Sequence, residues 1–189
     1  MSRPGERDSH HTPAAGTLHH FEGVSPMRKL FACLALLSAA GFVTASDEIK
    51  LADFKLKAKD GGAEAVGLND GEGKLFFYVV GTATAEVEVK ADGVYAFSVE
   101  MSGDRGEKDL PKVKVTLGGK EIEKEFLLKQ AEPKVYTFKA ELKKGKNTVE
   151  IEFLNDSYKE NEYDCNLYVH SVKYEPAKAD DKKEEKKDK

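Results

Sequence analysis

The sequence predicts an all-β domain, built as an antiparallel sandwich or barrel, and three observations carry that expectation. Between residues 46 and 175 apolar and polar residues alternate with a period of two, run after run. Gly, Asp, Asn and Pro punctuate these runs at short, roughly regular intervals. No window of the same stretch repeats its apolar residues at the 3.6-residue period of a helix.

The elements follow in chain order. Ile49 to Phe54 reads as the first strand, and Lys74 to Val80 as an apolar one. Ala85 to Val89 alternates cleanly, and Gly93 to Val99 continues after a turn at Ala91-Asp92-Gly93. Val113, Val115 and Leu117 share a face, and Gly118-Gly119 turns the chain into a partner strand around Ile122, Phe126 and Leu128. Tyr136, Phe138, Ala140 and Leu142 share the next face. A turn at Gly145 to Asn147 leads to Val149, Ile151 and Phe153. Leu167 and Val169 begin the last strand, and Val172 fits it only if the strand carries a local irregularity. About 130 residues bury roughly two thirds of their unfolded surface, enough for one core without disulfides. Phe97, Tyr136, Phe138 and Phe153 fall on the inward phase of their strands and are expected in that core.

The ends differ from this middle. Met27-Arg28-Lys29, the apolar run Leu30 to Val43 and the small residues around Ala45 read as a signal peptide over 27–45, cleaved near Ala45, so the product is expected to be exported. The run is too short to span a bilayer, and no second one follows, so membrane insertion is not expected. Translation is expected to begin at Met27. Residues 1–26 are then a non-native leader or, alternatively, a disordered one whose His10-His11 and His19-His20 pairs could hold a metal weakly. Residues 176–189 are almost wholly Lys, Asp, Glu and Ala, a disordered charged tail.

Charge and inventory exclude several functions. Thirty Lys and Arg against 34 Asp and Glu give a net charge of -4, with no basic footprint for nucleic acid. Four of the five His lie before residue 21, which leaves the domain only His170, too few for a zinc site or a His-based triad with its partners. Cys33 falls within the signal, so Cys165 has no intrachain partner. It is either a buried small hydrophobe or an exposed thiol able to form an intermolecular disulfide.

The most unusual stretch is residues 155–166, Asn-Asp-Ser-Tyr-Lys-Glu-Asn-Glu-Tyr-Asp-Cys-Asn, with four carboxylates against one lysine. Like charges that close together need solvent or a cation. The loop is thus either a plain acidic surface loop or a site for calcium, which takes six to eight oxygen ligands.

The run Asn147 to Asp156, followed by Asn166-Leu167-Tyr168-Val169, resembles the closing hairpin of the calcium-dependent xylan-binding carbohydrate-binding modules. Asp92-Gly93-Val94-Tyr95, Pro111, Val113 to Lys120 and Tyr136 are similar to the same family, as is the opening Ile49 to Phe54. The resemblance implies a two-sheet β-sandwich of jelly-roll type, without catalytic activity, whose bound calcium coordinates sugar hydroxyls. It implies Asp156 and Asp164 as metal ligands, with Tyr163 offering a backbone carbonyl and a further ligand from Asn69, Asp70 or Glu72. Asn155, Tyr158, Glu160, Asn161 and Asn166 are the residues expected to contact the polysaccharide, xylan or a related β-glycan. Two positions depart from the family pattern: Cys165 stands where Arg is usual, and His170 where an acid is common. Ala52 stands in place of a frequent Glu, which removes the expectation of a second calcium site. The alternative function is a structural or protein-interaction sandwich that has lost the sugar site. Paired acids such as Glu160 and Asp164 would hydrolyse glycosides only if held across a sugar, which this loop gives no reason to expect.

Overall fold

Strands that alternate apolar and polar residues must each turn one face away from water, and two sheets packed face to face satisfy all of them at once. The computed structural model describes residues 46–178. In them lie β1 (Asp47–Ile49), β2 (Lys55–Ala58), β3 (Val66–Asn69), β4 (Lys74–Phe77), β5 (Gly81–Val89), β6 (Gly93–Gly103) and β7 (Lys112–Leu117). They are followed by β8 (Lys120–Leu127), β9 (Lys134–Leu142), β10 (Gly145–Phe153), β11 (Tyr158–Lys159), β12 (Tyr163–Asp164) and β13 (Leu167–Pro176). One sheet runs β3-β4-β13-β6-β9, with β1 also paired to β13; the other runs β2-β5-β10-β7-β8, and β11-β12 form a small ribbon. All of these pairings are antiparallel.

The inward faces are those the alternation selects. Val113, Val115, Leu117, Tyr136, Phe138, Ala140, Leu142, Val149, Ile151 and Phe153 are all buried, as is Phe97. Phe77 and Phe153, from opposite sheets, meet edge-on at 6.5 Å in the middle of this core. Gly118 and Gly119 both adopt positive φ, the geometry of the two-residue hairpin expected between β7 and β8.

Three local expectations need correction. Ile49 to Phe54 is not one strand, because β1 stops at Ile49 and Leu51–Asp53 forms a 3-10 turn closed by the Phe54 amide on the Leu51 carbonyl. Ile49 and Phe54 are five residues apart and would lie on opposite faces of a continuous strand; the turn lets both be buried. The apolar run at Lys74 yields a strand only to Phe77, since beyond it Tyr78 is exposed and Gly81 begins the opposite sheet. Gly145 already pairs with Val89, so the turn before β10 lies earlier than Gly145 to Asn147.

Strand β13 organises the fold. It pairs with β6 along its length, while its other edge is shared by β4 at Leu167 to Val169 and by β1 at Val172 to Tyr174. The register shifts between Val169 and Ser171, and this bulge at His170 lets Val169 and Val172 both face the core despite their odd spacing. Among the connections that pass between the sheets are β6 to β7 and β10 to β13. Leu154 N donates to Lys112 O, and Asp104 N to Asn166 O, so these two crossings lie together at one end of the sandwich.

The leader, the signal peptide and most of the charged tail lie outside the described residues. Among those described, no helix is long and apolar enough to cross a membrane.

Candidate functional site

The acidic loop departs from β10 and returns as β13, and its base is fixed before any ligand is considered. Asn155 Oδ1 accepts from Lys112 N at 2.5 Å and its Nδ2 donates to Leu110 O at 3.1 Å, tying the loop to the start of β7. Both ends of that carboxamide are therefore used within the chain, and Asn155 acts as a brace. Cys165 N donates to Ser157 O, and Tyr158 and Asp164 pair across β11 and β12. The hairpin turns through Glu160 and Asn161, and Asn161 sits at φ 62, a left-handed conformation that Asn tolerates better than most residues. Glu160 and Asn161 are exposed at this tip, where Lys159 and Glu162 form an ion pair at 2.6 Å. The four loop carboxylates are thus split: Glu160 and Glu162 belong to the tip, Asp156 and Asp164 to the base.

The base carries two unanswered oxygens. Asp156 Oδ1 and Asn166 Oδ1 are both buried from solvent without a hydrogen-bond donor. A buried acceptor left in this state costs about 1–3 kcal/mol, which is tolerated in a native fold only where something else supplies the partner. Burial raises the pKa of Asp156 above its ordinary value, and the Asp164 charge raises it further, against a lowering hydrogen bond from the Ser157 amide.

A third carboxylate comes from the β6 to β7 connection. Asp104 Oδ2 accepts from Tyr168 Oη at 2.8 Å and from Asn166 Nδ2 at 3.2 Å. With its amide spent on Asp104, Asn166 turns its oxygen inward. Asp104 was absent from the sequence-based set. Only the pairing of β6 with β13 reveals that residues just beyond Gly103 lie beside Asn166, and the Gly-Asp-Arg-Gly punctuation there reads merely as a loop. The earlier candidates Asn69, Asp70 and Glu72 sit instead in the β3-β4 turn, where Asn69 Oδ1 accepts from Glu72 N and Glu72 pairs with Lys74 at 2.5 Å. Asn69 itself is aligned with Lys74 in the β3-β4 register.

Cys165 explains how the two connections meet. It is fully buried, and burial pushes its thiol up to about 11. A Cβ on Gly106 would lie 3.0 Å from Cys165 Cβ and would also collide with Ser157 Oγ, so the glycine lets the loops touch. The intermolecular disulfide considered above is not supported, since the sulfur has no exposed surface. His170, at the bulge, bonds through Nε2 to Ser102 Oγ at 2.7 Å and is held below its ordinary pKa chiefly by burial. Tyr163 is half-buried in β12, and Tyr158 is 67% exposed.

The donor set suits calcium in kind: carboxylates, a carboxamide oxygen and nearby backbone carbonyls, all hard oxygens. Among the described residues no three His, Cys, Asp or Glu side chains converge closely enough to form a metal cage by themselves. The two orphaned oxygens are one carboxylate and one carboxamide, so such a cluster is not the pattern to expect here.

Comparison with known proteins bears on the fold and the family. No curated protein matches the chain. The CBM36-1 domain of a multidomain xylanase from the hindgut metagenome of Trinervitermes trinervoides superposes with a TM-score of 0.52 at 15% identity, over 71% of this chain and 99% of that one. The mannan binding module from Man5C superposes with a TM-score of 0.50 at 16% identity, over 70% and 99%. At such identities these likenesses establish the jelly-roll sandwich. Residues 96–188, which hold the centre of the six-stranded sheet and the whole acidic loop, match the family model described as a Ca-dependent, xylan-binding carbohydrate-binding module. By that match residues 96–188 are similar to this family of non-catalytic, calcium-dependent xylan-binding modules.

Proposed function

We propose that the chain binds xylan at the end of the sandwich where these two crossings meet, with calcium held by Asp156, Asp164 and the Asn166 carboxamide oxygen, and with a backbone carbonyl from Tyr163. The observation that carries this assignment is the pair of buried, donorless oxygens on Asp156 and Asn166. A divalent cation bound there supplies positive charge to acceptors the chain leaves unanswered, and offers open positions to sugar hydroxyls. Asn166 and Tyr168 orient Asp104, Asn155 anchors the loop, and Cys165 with Gly106 packs the crossings together. Tyr158 is exposed on the same loop. The signal-like segment at 27–45 adds that the module works outside the cytoplasm.

Retention of the full chain on insoluble xylan in about 5 mM calcium and in EDTA tests the reading, the calcium being set above the millimolar constants common in extracellular modules. Retention is expected in calcium and lost in EDTA. Equal retention in both, or none in either, overturns it.

A further inference from the structure

The outward face of β4 and β13 carries an aromatic cluster that the metal site does not use. Phe76 and Tyr168 are paired across the two strands. Tyr78 stacks on Phe76 at 4.7 Å with the rings 30° apart, and meets Tyr168 edge-on at 6.5 Å. Lys74 Nζ lies 4.3 Å from the Tyr168 ring centroid, and the Tyr168 hydroxyl ends on Asp104. The opening beneath Phe76 is made by Gly67, opposite it on β3, where a Cβ would come 2.5 Å from Phe76 Cζ. Phe76 thus lies across the sheet, and Tyr78 rests on it with 46% of its surface exposed.

An exposed tyrosine normally retains several rotamers. Here one ring face is backed by Phe76 and one edge abuts Tyr168, so the ring is held in place with a surface left to solvent. The C–H face of a pyranose ring is apolar enough to stack on such a surface, while its hydroxyls stay in water. The cluster is joined to the metal-ligand candidates by one side chain, Tyr168, whose ring it shares and whose hydroxyl meets Asp104, the partner of the Asn166 carboxamide.

Resting on the reading above, we propose that Tyr78, backed by Phe76 and Tyr168, is a stacking platform for a second sugar residue of the glycan whose other residue sits at the Asp156-Asn166 site. The module then reads a length of chain, so affinity rises from xylobiose to longer xylo-oligosaccharides. Tyr78→Ala flattens that rise and lowers affinity for the longer oligosaccharides about 3- to 10-fold, the range of one aromatic contact. Tyr78→Phe retains the ring and the affinity.

The test is calorimetric titration of β-1,4-xylo-oligosaccharides of two to six residues into the full chain and both variants in saturating calcium, beside the calcium-induced shift of each melt. Tyr78 is exposed and outside the core, so the calcium shift is expected to be the same in all three proteins. A wild type that binds the oligosaccharides while Tyr78→Ala binds them equally well overturns the platform and leaves the metal reading standing. A wild type that shows the calcium shift yet binds no oligosaccharide overturns the functional reading, and the platform falls with it.

Discussion

Replacing Asp156 with asparagine separates the cost of the metal site from its benefit. In the calcium-free protein the Asp156 carboxylate is partly buried, one oxygen lacks a donor, and Asp164 repels it. Removing the charge relieves the repulsion and the charge desolvation but leaves an acceptor unanswered, so the gain in EDTA is expected to be about 1 kcal/mol or less. With calcium the order reverses. For a dissociation constant of about 10⁻⁴ to 10⁻³ M, 5 mM calcium stabilises the native state by RT ln(1 + [Ca]/Kd), about 1 to 2.3 kcal/mol. In a domain of this size that raises Tm by about 3 to 10 °C. Wild type is therefore expected to melt below Asp156→Asn in EDTA and to gain several degrees in calcium, while the variant gains little. The pH dependence has a fixed sign. The folded pKa of Asp156 lies above its unfolded value, so its contribution to stability is present at low pH and is lost as pH rises through the folded pKa. The advantage of the variant in EDTA should accordingly shrink on acidification through the carboxylate range. Scanning calorimetry of both proteins gives the answer. A variant that melts lower than wild type in EDTA and rises as far in calcium would falsify the assignment of Asp156.

Other residues make separate predictions. Tyr168→Phe removes one of the two donors on Asp104 and is expected to weaken calcium binding severalfold with little change in the EDTA melt; a calcium titration followed by Tm checks it. Gly106→Ala forces the two crossings apart at Cys165 and Ser157 and should cost about 1–3 kcal/mol in urea unfolding, against near-neutrality if the loops part freely. Asn155→Ala strips partners from Lys112 N and Leu110 O, and a loss of about 1–3 kcal/mol is expected by the same measurement. His170 has its folded pKa depressed, so the unfolded chain takes up the proton first. Its contribution is complete above the ordinary histidine pKa and is lost as pH falls through that value toward the folded one. His170→Gln should flatten this part of the stability profile, and an unchanged slope between pH 7.5 and 5 would argue against it.

The strands were legible because period-two alternation records burial directly. Leu142, Val149 and Phe153 are inward for the reason their spacing suggests, and even the bulge at His170 follows from the odd step between Val169 and Val172. The interrupted segment Ile49 to Phe54 was misread because its apolar residues do not reveal a 3-10 turn between them. Within the loop, composition identified the acidic stretch but could not divide it. Asp156 and Asn166 are distinguished from Glu160 and Asn161 by burial, which depends on where the hairpin turns. Asp104 lies 62 residues before Asn166 and reaches it only through sheet pairing. Tyr78 and Phe76 were hidden in an apolar run that says nothing of which ring faces outward.

The acidic loop joins β10 to β13, the middle strand of one sheet to the middle strand of the other. A loop hung on two edge strands could fray with them. This one cannot open far unless β13 parts from β6 or β10 from β5 and β7, contacts that belong to global unfolding. The ligand oxygens are thus preorganised by the same pairings that hold the sheets, and a cation arriving there has little chain left to order. Calcium uptake should therefore carry a small entropic penalty from the protein, and amide exchange at the loop base should be slow even in the metal-free state.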